Sequence, residues 1–568
     1  MFLPTTKEEL KVRGWDALDI IIVTGDTYID SPFIGASVIG RYLAKAGFKV
    51  GIIAQPDIHT DRDISRLGEP KLFWGITAGA TDSIVANYTA IGKKRKNCDF
   101  TPGGKNNRRP DRATIVYANL IKRYFKKTKP IVLGGIEASL RRIAHYDFLE
   151  DKIRRSILFD AKADVLVYGM GERAVLELAK RIRSNEDFKD IEGICYISKE
   201  APDDYIALPS FEDVKRSKDE FVRMFMIFYE HNKVVSKKGL YQKTGDRYLI
   251  CNPPAKPLTR AELDEIYEMN FTREVHPYYL RNGKVKAQET IKFSITTHRG
   301  CIGECSFCSI PIHQGNIVLS RSQKSIIKEV EKIASLKDFH GYITDVGGPT
   351  ANMYGIECAK MKDFKKCIKK ECLYPKICSH LKISHKSQID LLKKISIIKG
   401  VKKAFVASGI RYDLVMEDSE YGEEYLDSLI ADHISGQMKI APEHTQESVM
   451  KYMRKCNVKY LLPFCNRFRA LNKRYGKKQY LTFYIIAAHP GCSSADMKKC
   501  REFFSKKLHS IPEQVQIFTP TPSTLSTLMY FTGIDPRSGE EIFIEKKIKG
   551  KEEQKKIMVH KKRQKLRR

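Results

Sequence analysis

Short apolar runs alternating with amphipathic helical stretches divide this chain into two successive α/β blocks. Asp19-Ile-Ile-Ile-Val23 has the uninterrupted apolar character of a strand buried on both faces. Phe33 to Ala46 places apolar residues at helical spacing and stops before Gly47, and Phe48 to Ala54 reads as the next strand. That order is a βαβ unit. Further strands predicted at Leu72 to Ile76, Pro130 to Leu133 and Asp164 to Tyr168 repeat it, so a doubly wound, Rossmann-like parallel sheet is expected over residues 1–200. Residues 201–285 are mixed: an apolar helix near Phe221 to Tyr229 and a proline-containing stretch from Asn252 to Leu258 read as a connector. A second run of strands then begins, at Ile291 to Thr296, Gly341 to Val346, Lys403 to Ala407, Gln437 to Ala441, Leu481 to Ala488 and Gln514 to Phe518. Helical segments separate them, which predicts a partial (β/α)6 barrel over 286–520 and leaves 521–568 as a C-terminal extension.

Composition adds limits to this outline. With 42% hydrophobic and 30% charged residues, the 568-residue chain has the balance of a folded globular protein. Apolar runs such as Leu481 to Ala488 fall well short of the roughly 20 residues that cross a bilayer. Met1 to Gly14 has no signal-peptide pattern, so a cytoplasmic location is expected. In that compartment 14 cysteines are more naturally metal ligands or buried thiols than a disulfide framework. The 100 Lys and Arg against 68 Asp and Glu give +32, enough to attract nucleic acid or other anions. Much of the excess is spread along Lys-rich helical faces, with two dense patches: a loop from Lys93 to Arg112, and a tail from Lys546 to Arg568 expected to be disordered.

Doubly wound sheets bind ligands at the carboxyl ends of their strands. The loops there are Thr24-Gly-Asp26, Gly134-Gly-Ile-Glu137 and Gly169-Met-Gly-Glu172, and none completes a Gly-x-Gly-x-x-Gly fingerprint. Directly after the first barrel strand comes Thr297-His298-Arg299-Gly300-Cys301-Ile302-Gly303-Glu304-Cys305-Ser306-Phe307-Cys308. Three thiols within eight residues, relaxed by Gly300 and Gly303, can wrap one compact metal centre. Three sulfurs leave a four-iron cuboidal cluster with one open coordination site. The alternatives are a zinc site completed by His298 or His313, or three unrelated core thiols. A position at the carboxyl end of a barrel strand favours a functional centre.

This loop and its place resemble the radical S-adenosylmethionine (SAM) superfamily, whose members carry Cys-x3-Cys-x2-Cys after the first barrel strand, with an aromatic residue such as Phe307 before the last cysteine. The resemblance implies a 4Fe-4S cluster on Cys301, Cys305 and Cys308, and SAM chelated by the open iron. It further implies reductive cleavage of SAM to a 5'-deoxyadenosyl radical, with electrons from a donor such as flavodoxin or ferredoxin. Asp345-Val-Gly-Gly-Pro-Thr350 ends the second strand where relatives carry Gly-Gly-Glu toward the SAM amino group. Gly347 and Gly348 match, but Pro349 replaces the glutamate, so backbone carbonyls would have to serve that group. By position, Ser408 and Arg411 are expected at the SAM carboxylate or ribose, or in a surface salt bridge. Lys439-Ile-Ala-Pro-Glu443-His444 and His489 lie at later strand ends, His489 either facing substrate or serving the fold.

The fuller resemblance is to the YgiQ family of radical SAM proteins. It runs along nearly the whole chain through Tyr88-Thr-Ala, Thr101-Pro-Gly-Gly104, Arg109-Pro-Asp-Arg112, Gly134 to Arg142, His145-Tyr-Asp147 and Gly347 to Tyr354. It implies a cobalamin-binding-like N-terminal domain before the barrel. The histidine that ligates cobalt in such domains is missing from Asp26-Thr-Tyr-Ile-Asp30, so base-on cobalamin, another ligand or plain support of the barrel stay open. Cys358, Cys367, Cys372 and Cys378, within 21 residues, form a second group suited to zinc or an auxiliary iron–sulfur cluster. The competing reading of the whole is a basic RNA-binding protein with structural zinc or iron–sulfur sites. Against it, no regular array of aromatic platforms is present. A radical enzyme acting on nucleic acid is compatible with both sets of features.

Overall fold

Five of the predicted apolar runs become the parallel half of a nine-stranded sheet. They are β1 (Ile20–Thr24), β2 (Val50–Ala54), β3 (Phe73–Thr77), β4 (Ile131–Gly134) and β5 (Val165–Val167). The computed structural model describes residues 1–233, 236–360, 367, 371–455 and 458–559. The chain forms two compact units: Met1–Lys292 with Ile312–Gly315 and Thr521–Ser523, and a second built from Phe293–Pro311, Asn316–Pro520 and the chain from Thr524 onward.

In the first unit β6 (Ile194–Ser198), β7 (Ile206–Leu208), β8 (Leu240–Thr244) and β9 (Arg247–Cys251) extend the sheet, whose order is β2-β1-β3-β4-β5-β6-β9-β8-β7. Strands β1 to β5 run parallel, while β5–β6, β6–β9 and β9–β8 pair antiparallel. The stretch 201–285 is therefore no connector, since it supplies three strands. Its hairpin turns at Gly245-Asp246 with Gly245 at φ +61°, a left-handed geometry that glycine adopts without strain. Every residue of β1 and β2 is buried, because helices cover both faces of a parallel sheet.

One buried carboxylate pins two helix starts in this unit. Glu137 accepts from Ser83 N at 2.8 Å, Thr114 N at 3.1 Å, Thr114 Oγ1 at 2.6 Å and the Ser83 hydroxyl, satisfying amide donors at the first turns of helices Ser83–Asn87 and Ala113–Tyr124. Glu137→Leu strands those donors in a dry site and is expected to lower unfolding stability by about 3 kcal/mol. Urea denaturation reads this, and an unchanged midpoint would contradict the pinning role.

The second unit is built on short parallel strands: β10 (Ser294–Thr296), β11 (Tyr342–Ile343), β12 (Asp345–Gly347), β13 (Lys403–Ala404), β14 (Gln437–Glu443), β15 (Tyr480–Ala487) and β16 (Gln514–Ile517). β10 pairs with β12, β11 with β13, and β14 with β15 and then β16. Phe405 N donating to Ile343 O (3.0 Å), Val346 N donating to Phe405 O (2.8 Å) and a parallel bridge between Ile410 and Ile440 close the gaps into one open barrel. Its first strand is shorter than predicted, since Ala287–Ile291 is a helix. The C-terminal extension is also not simply a disordered tail. Ile548–Met558 is a helix whose Lys551, Gln554 and Met558, at helical spacing, are buried. Gln554 fixes it there, accepting from Ala488 N and donating to Cys492 O, both at 2.9 Å. Residues 560–568, the rest of the expected tail, lie outside the described residues. Among the described residues no helix is long and apolar enough to cross a membrane.

Candidate metal and cofactor site

The cysteine loop leaves β10 where Thr297 N donates to Gly347 O at 2.7 Å, so it starts at the carboxyl ends of two neighbouring strands. Gly300 (φ +78°) and Glu304 (φ +40°) take left-handed backbone that folds the loop on itself. Cys308 N donates to Cys305 O at 2.9 Å, and the Ser306 backbone is held by Met453 O (3.0 Å) and Ser526 N (2.8 Å).

Two of the three thiols, Cys301 and Cys305, meet over Gly303. A Cβ at that glycine would stand 3.3 Å from Cys301 Sγ, 3.7 Å from Cys305 Sγ and 2.8 Å from Arg411 Nη1, so a larger residue would fill the cradle. Gly303 N donates to Cys301 Sγ at 3.4 Å, Thr350 Oγ1 lies 3.7 Å from the same sulfur, and Arg411 Nη1 donates to Cys305 Sγ at 3.9 Å. Burial, then the charge of the neighbouring thiols, pushes Cys301 and Cys308 above the ordinary thiol range. Such a set needs a positive centre to deprotonate it and is supplied with donors for the resulting sulfur charge, which suits an iron–sulfur cluster. Among the described residues no three His, Cys, Asp or Glu side chains are already closed into metal-binding geometry. The fit rests on the Gly303 cradle.

Arg411 is the best-supported of the remaining expected residues. Asp413, only two residues on, holds its guanidinium through Nε (3.1 Å) and Nη2 (2.5 Å), leaving Nη1 turned to Cys305. Asn352 fixes the Arg411 backbone, accepting from its N–H at 2.9 Å and donating to its carbonyl at 3.0 Å. Behind Asn352 stand His385 (3.1 Å) and then Asp418 (2.7 Å), a buried relay that sequence reasoning missed because its members are far apart in the chain. The expected surface salt bridge of Arg411 is thus a buried one.

Other expected residues are placed differently. The Ser408 hydroxyl is committed to Asp345, whose Oδ1 also accepts from Ala407 N (2.8 Å) and Ser408 N (3.1 Å). Gly347 approaches Ser408 and Asp345, and Gly348 lies against the His298 ring, where an added Cβ would come within 2.5 Å. The Gly347 carbonyl already accepts Thr297 N and Thr297 Oγ1 (3.1 Å), so it is not free to serve an ammonium group. His298 is buried with Nδ1 2.9 Å from Thr297 Oγ1, and burial pulls its pKa down to about 4. His313 belongs to the first unit, 3.0 Å from Ser139 Oγ. His489 is buried, with Nε2 2.7 Å from Ser526 Oγ and Nδ1 2.9 Å from Pro490 O, which is a fold role. Glu443, buried at φ +65° on a bulge of β14, is raised by burial and faces Lys455 and Arg411. In the second cysteine group, Cys358 lies on Glu357–Cys358, paired antiparallel with Leu381–Lys382, and Cys378 N donates to Cys372 O at 2.8 Å. Cys367 is half-buried, and its neighbours 361–366 and 368–370 lie outside the described residues.

Beyond the carboxyl ends of β1 and β2 the first unit is filled by the chain itself. The Asp26 carboxylate takes Ala80 N at 2.6 Å and forms a buried ion pair with Arg109, and Arg109 Nε donates to Gly25 O at 3.3 Å. Gln55 Nε2 reaches Gly25 O and Thr101 Oγ1, both at 2.9 Å, while Thr27 N donates to Phe100 O at 3.0 Å. The 93–112 loop, read as a dense basic patch, therefore plugs the space beyond β1 and β2. Arg112 is likewise engaged, with Asp147 at 2.9 Å, whereas Lys93 to Lys96 are exposed.

The sequence profile described as Radical SAM N-terminal matches residues 2–294. By fold, the chain is similar to the radical SAM methyltransferase TsrM of Kitasatospora setae, solved with tryptophan and a SAM analog, at TM-score 0.50 and 15% identity, covering 89% of this chain and 74% of that one. It is similar also to the cobalamin-dependent SAM radical enzyme OxsB with aqua-cobalamin bound, at TM-score 0.51 and 12% identity, covering 92% of this chain and 57% of that one. The fold and the profile together define an enzyme of the radical SAM superfamily. Among curated proteins it is 53% identical to the UPF0313 protein FN0734 of Fusobacterium nucleatum subsp. nucleatum over 99% of both chains. A UPF0313 protein of Thermotoga maritima is 48% identical, again over 99% of both. The chain belongs to the UPF0313 family, also called the YgiQ family.

Proposed function

We propose that Cys301, Cys305 and Cys308 hold a 4Fe-4S cluster and that the enzyme reductively cleaves SAM, directing the resulting radical at a substrate still to be identified. The observation that carries this is the meeting of two thiols and the Arg411 guanidinium over Gly303. When bound, the cluster supplies the electron that breaks a carbon–sulfur bond of SAM, giving methionine and a 5'-deoxyadenosyl radical. The chain's own part is binding and orientation. Gly303 N–H and Arg411 Nη1 stabilise sulfur charge, and the Arg411 fork, held by Asp413, is suited to a SAM carboxylate. The tight packing at Gly347 and Gly348 keeps the strand end narrow where SAM would lie. A flavodoxin or ferredoxin fits as electron donor. Anaerobic reconstitution followed by dithionite and SAM should yield 5'-deoxyadenosine, and a cluster indifferent to SAM would refute the reading.

Cobalamin does not fit the first unit. The edge where a doubly wound sheet takes its ligand is occupied by Asp26, Gln55, Thr101 and Arg109, and no cobalt-ligating histidine follows β1. Mixing with hydroxocobalamin and gel filtration should leave no cobalt with the protein fraction, whereas stoichiometric co-elution of cobalt would overturn this. The RNA-binding reading also loses ground, because Arg109 and Arg112 of its main patch are engaged in internal ion pairs.

A further inference from the structure

The structure carries a second set of thiols beside the cysteine loop, and their arrangement follows from ordinary hairpin geometry. Glu357–Cys358 pairs antiparallel with Leu381–Lys382, with Cys358 opposite Leu381. A second bond across the pair, Ala359 N to His380 O at 2.8 Å, fixes the register. Leu381 N donates to Cys378 O at 3.0 Å, and Cys378 N to Cys372 O at 2.8 Å, so the chain from 372 to 381 coils tightly beside Cys358. Three cysteines distant in sequence are thereby carried on one small folded element. Cys367, half-buried, lies on the stretch joining Cys358 to Cys372.

The element is anchored. Leu373 is buried in a small apolar cluster with Cys301, Ile302, Val318, Met353, Ile356 and Leu414, against which Cys372, Ile377 and Leu381 pack. The same cluster thus joins the cysteine-rich hairpin to the first residues of the 301–308 loop. Glu371 forms ion pairs with Arg454 and, at 3.1 Å, with Arg537, tying the hairpin to two later segments of the same unit. Burial raises the Cys372 thiol to about 12, and the charges of Glu304, Cys378, Cys367 and Cys358 add to the rise.

A small hairpin that carries Cys358, Cys372 and Cys378 and is packed on one small apolar cluster, with Cys367 on the chain between, resembles folds that a metal completes. We propose that Cys358, Cys367, Cys372 and Cys378 bind a second metal centre through four thiolates, separate from the centre at 301–308 and bracing that loop through the shared apolar cluster. Zinc and a 4Fe-4S cluster both accept four thiolates, and either binds with release of the thiol protons to solvent. These four contain no Cys-x2-Cys pair, so the ligands come from separate points of the backbone.

The test uses the full chain with Cys301, Cys305 and Cys308 all replaced by Ala, so that its outcome does not depend on the radical SAM reading. Metal analysis of this variant is expected to find about one zinc per chain, or iron and sulfide equivalent to one cluster after reconstitution; the two results identify the centre and both support it. Further replacement, Cys372→Ser with Cys378→Ser, should remove that equivalent. In case this last variant fails to fold, Co(II) added to the apo form of the triple variant should produce intense thiolate-to-cobalt charge-transfer absorption. A folded triple variant, judged by circular dichroism, that holds neither zinc nor iron and gives no such absorption would overturn the proposal.

Discussion

Cys305→Ala is expected to abolish 5'-deoxyadenosine formation and the SAM-sensitive EPR signal of the reduced cluster, with activity falling at least about a thousandfold. The size of the effect follows from position. Cys305 is the middle thiol, its sulfur faces Arg411, and its charge raises both Cys301 and Cys308. Removing it leaves two thiols that cannot hold the cluster with one defined open site. Cys465→Ala makes the matching control, because that thiol is buried in the apolar core of the second unit. It is expected to lower stability by about 1–2 kcal/mol while the cluster and SAM cleavage persist. Cleavage retained by Cys305→Ala would refute the ligand assignment.

The parallel strands of the first unit were legible in the sequence because a strand buried on both faces is a local signal, a short run of Ile, Val and Leu. The cysteine loop was legible for a similar reason, its chemistry being compressed into eight residues. What stayed hidden depends on distant partners. Arg109 looks like one more basic residue until Asp26 meets it across 83 positions of sequence. Strands β8 and β9 alternate weakly, with polar Gln242, Lys243, Arg247 and Tyr248 among them, so the pattern did not separate them from a connector. The 548–558 helix hides because its buried face includes Lys551 and Gln554, whose burial is bought by specific bonds to Tyr530, Ala488 and Cys492. Asn352 and Asp413 both lay inside or beside segments already singled out, yet their roles are tertiary: one fixes a backbone, the other aims a guanidinium. The Gly-Gly pair shows the converse. Its packing against Ser408 and His298 requires glycine whether or not SAM is near.

Arg411 separates orientation from charge at this site, and two replacements should divide the effects. Arg411→Gln alone is a poor probe, because it would leave the buried Asp413 carboxylate without its counter-charge, a loss of about 3–5 kcal/mol in stability that would mask the rest. The pair Arg411→Gln with Asp413→Asn keeps the net charge of the unit and removes both ions. Iron content is expected to stay unchanged, since neither residue is a cluster ligand. The cluster's reduction potential should fall by on the order of 50 mV, as the positive end of the ion pair no longer faces Cys305. SAM affinity should fall roughly 10- to 150-fold, the equivalent of about 1.5–3 kcal/mol for a lost charged hydrogen bond. Arg411→Lys retains the charge but not the fork, so it should keep the potential near wild type while still losing SAM affinity. Redox titration followed by EPR and equilibrium SAM binding read the two quantities independently. If the double replacement left both unchanged, Arg411 would serve only to tie Asp413 to the start of helix Tyr412–Glu417, and the SAM carboxylate would need another partner.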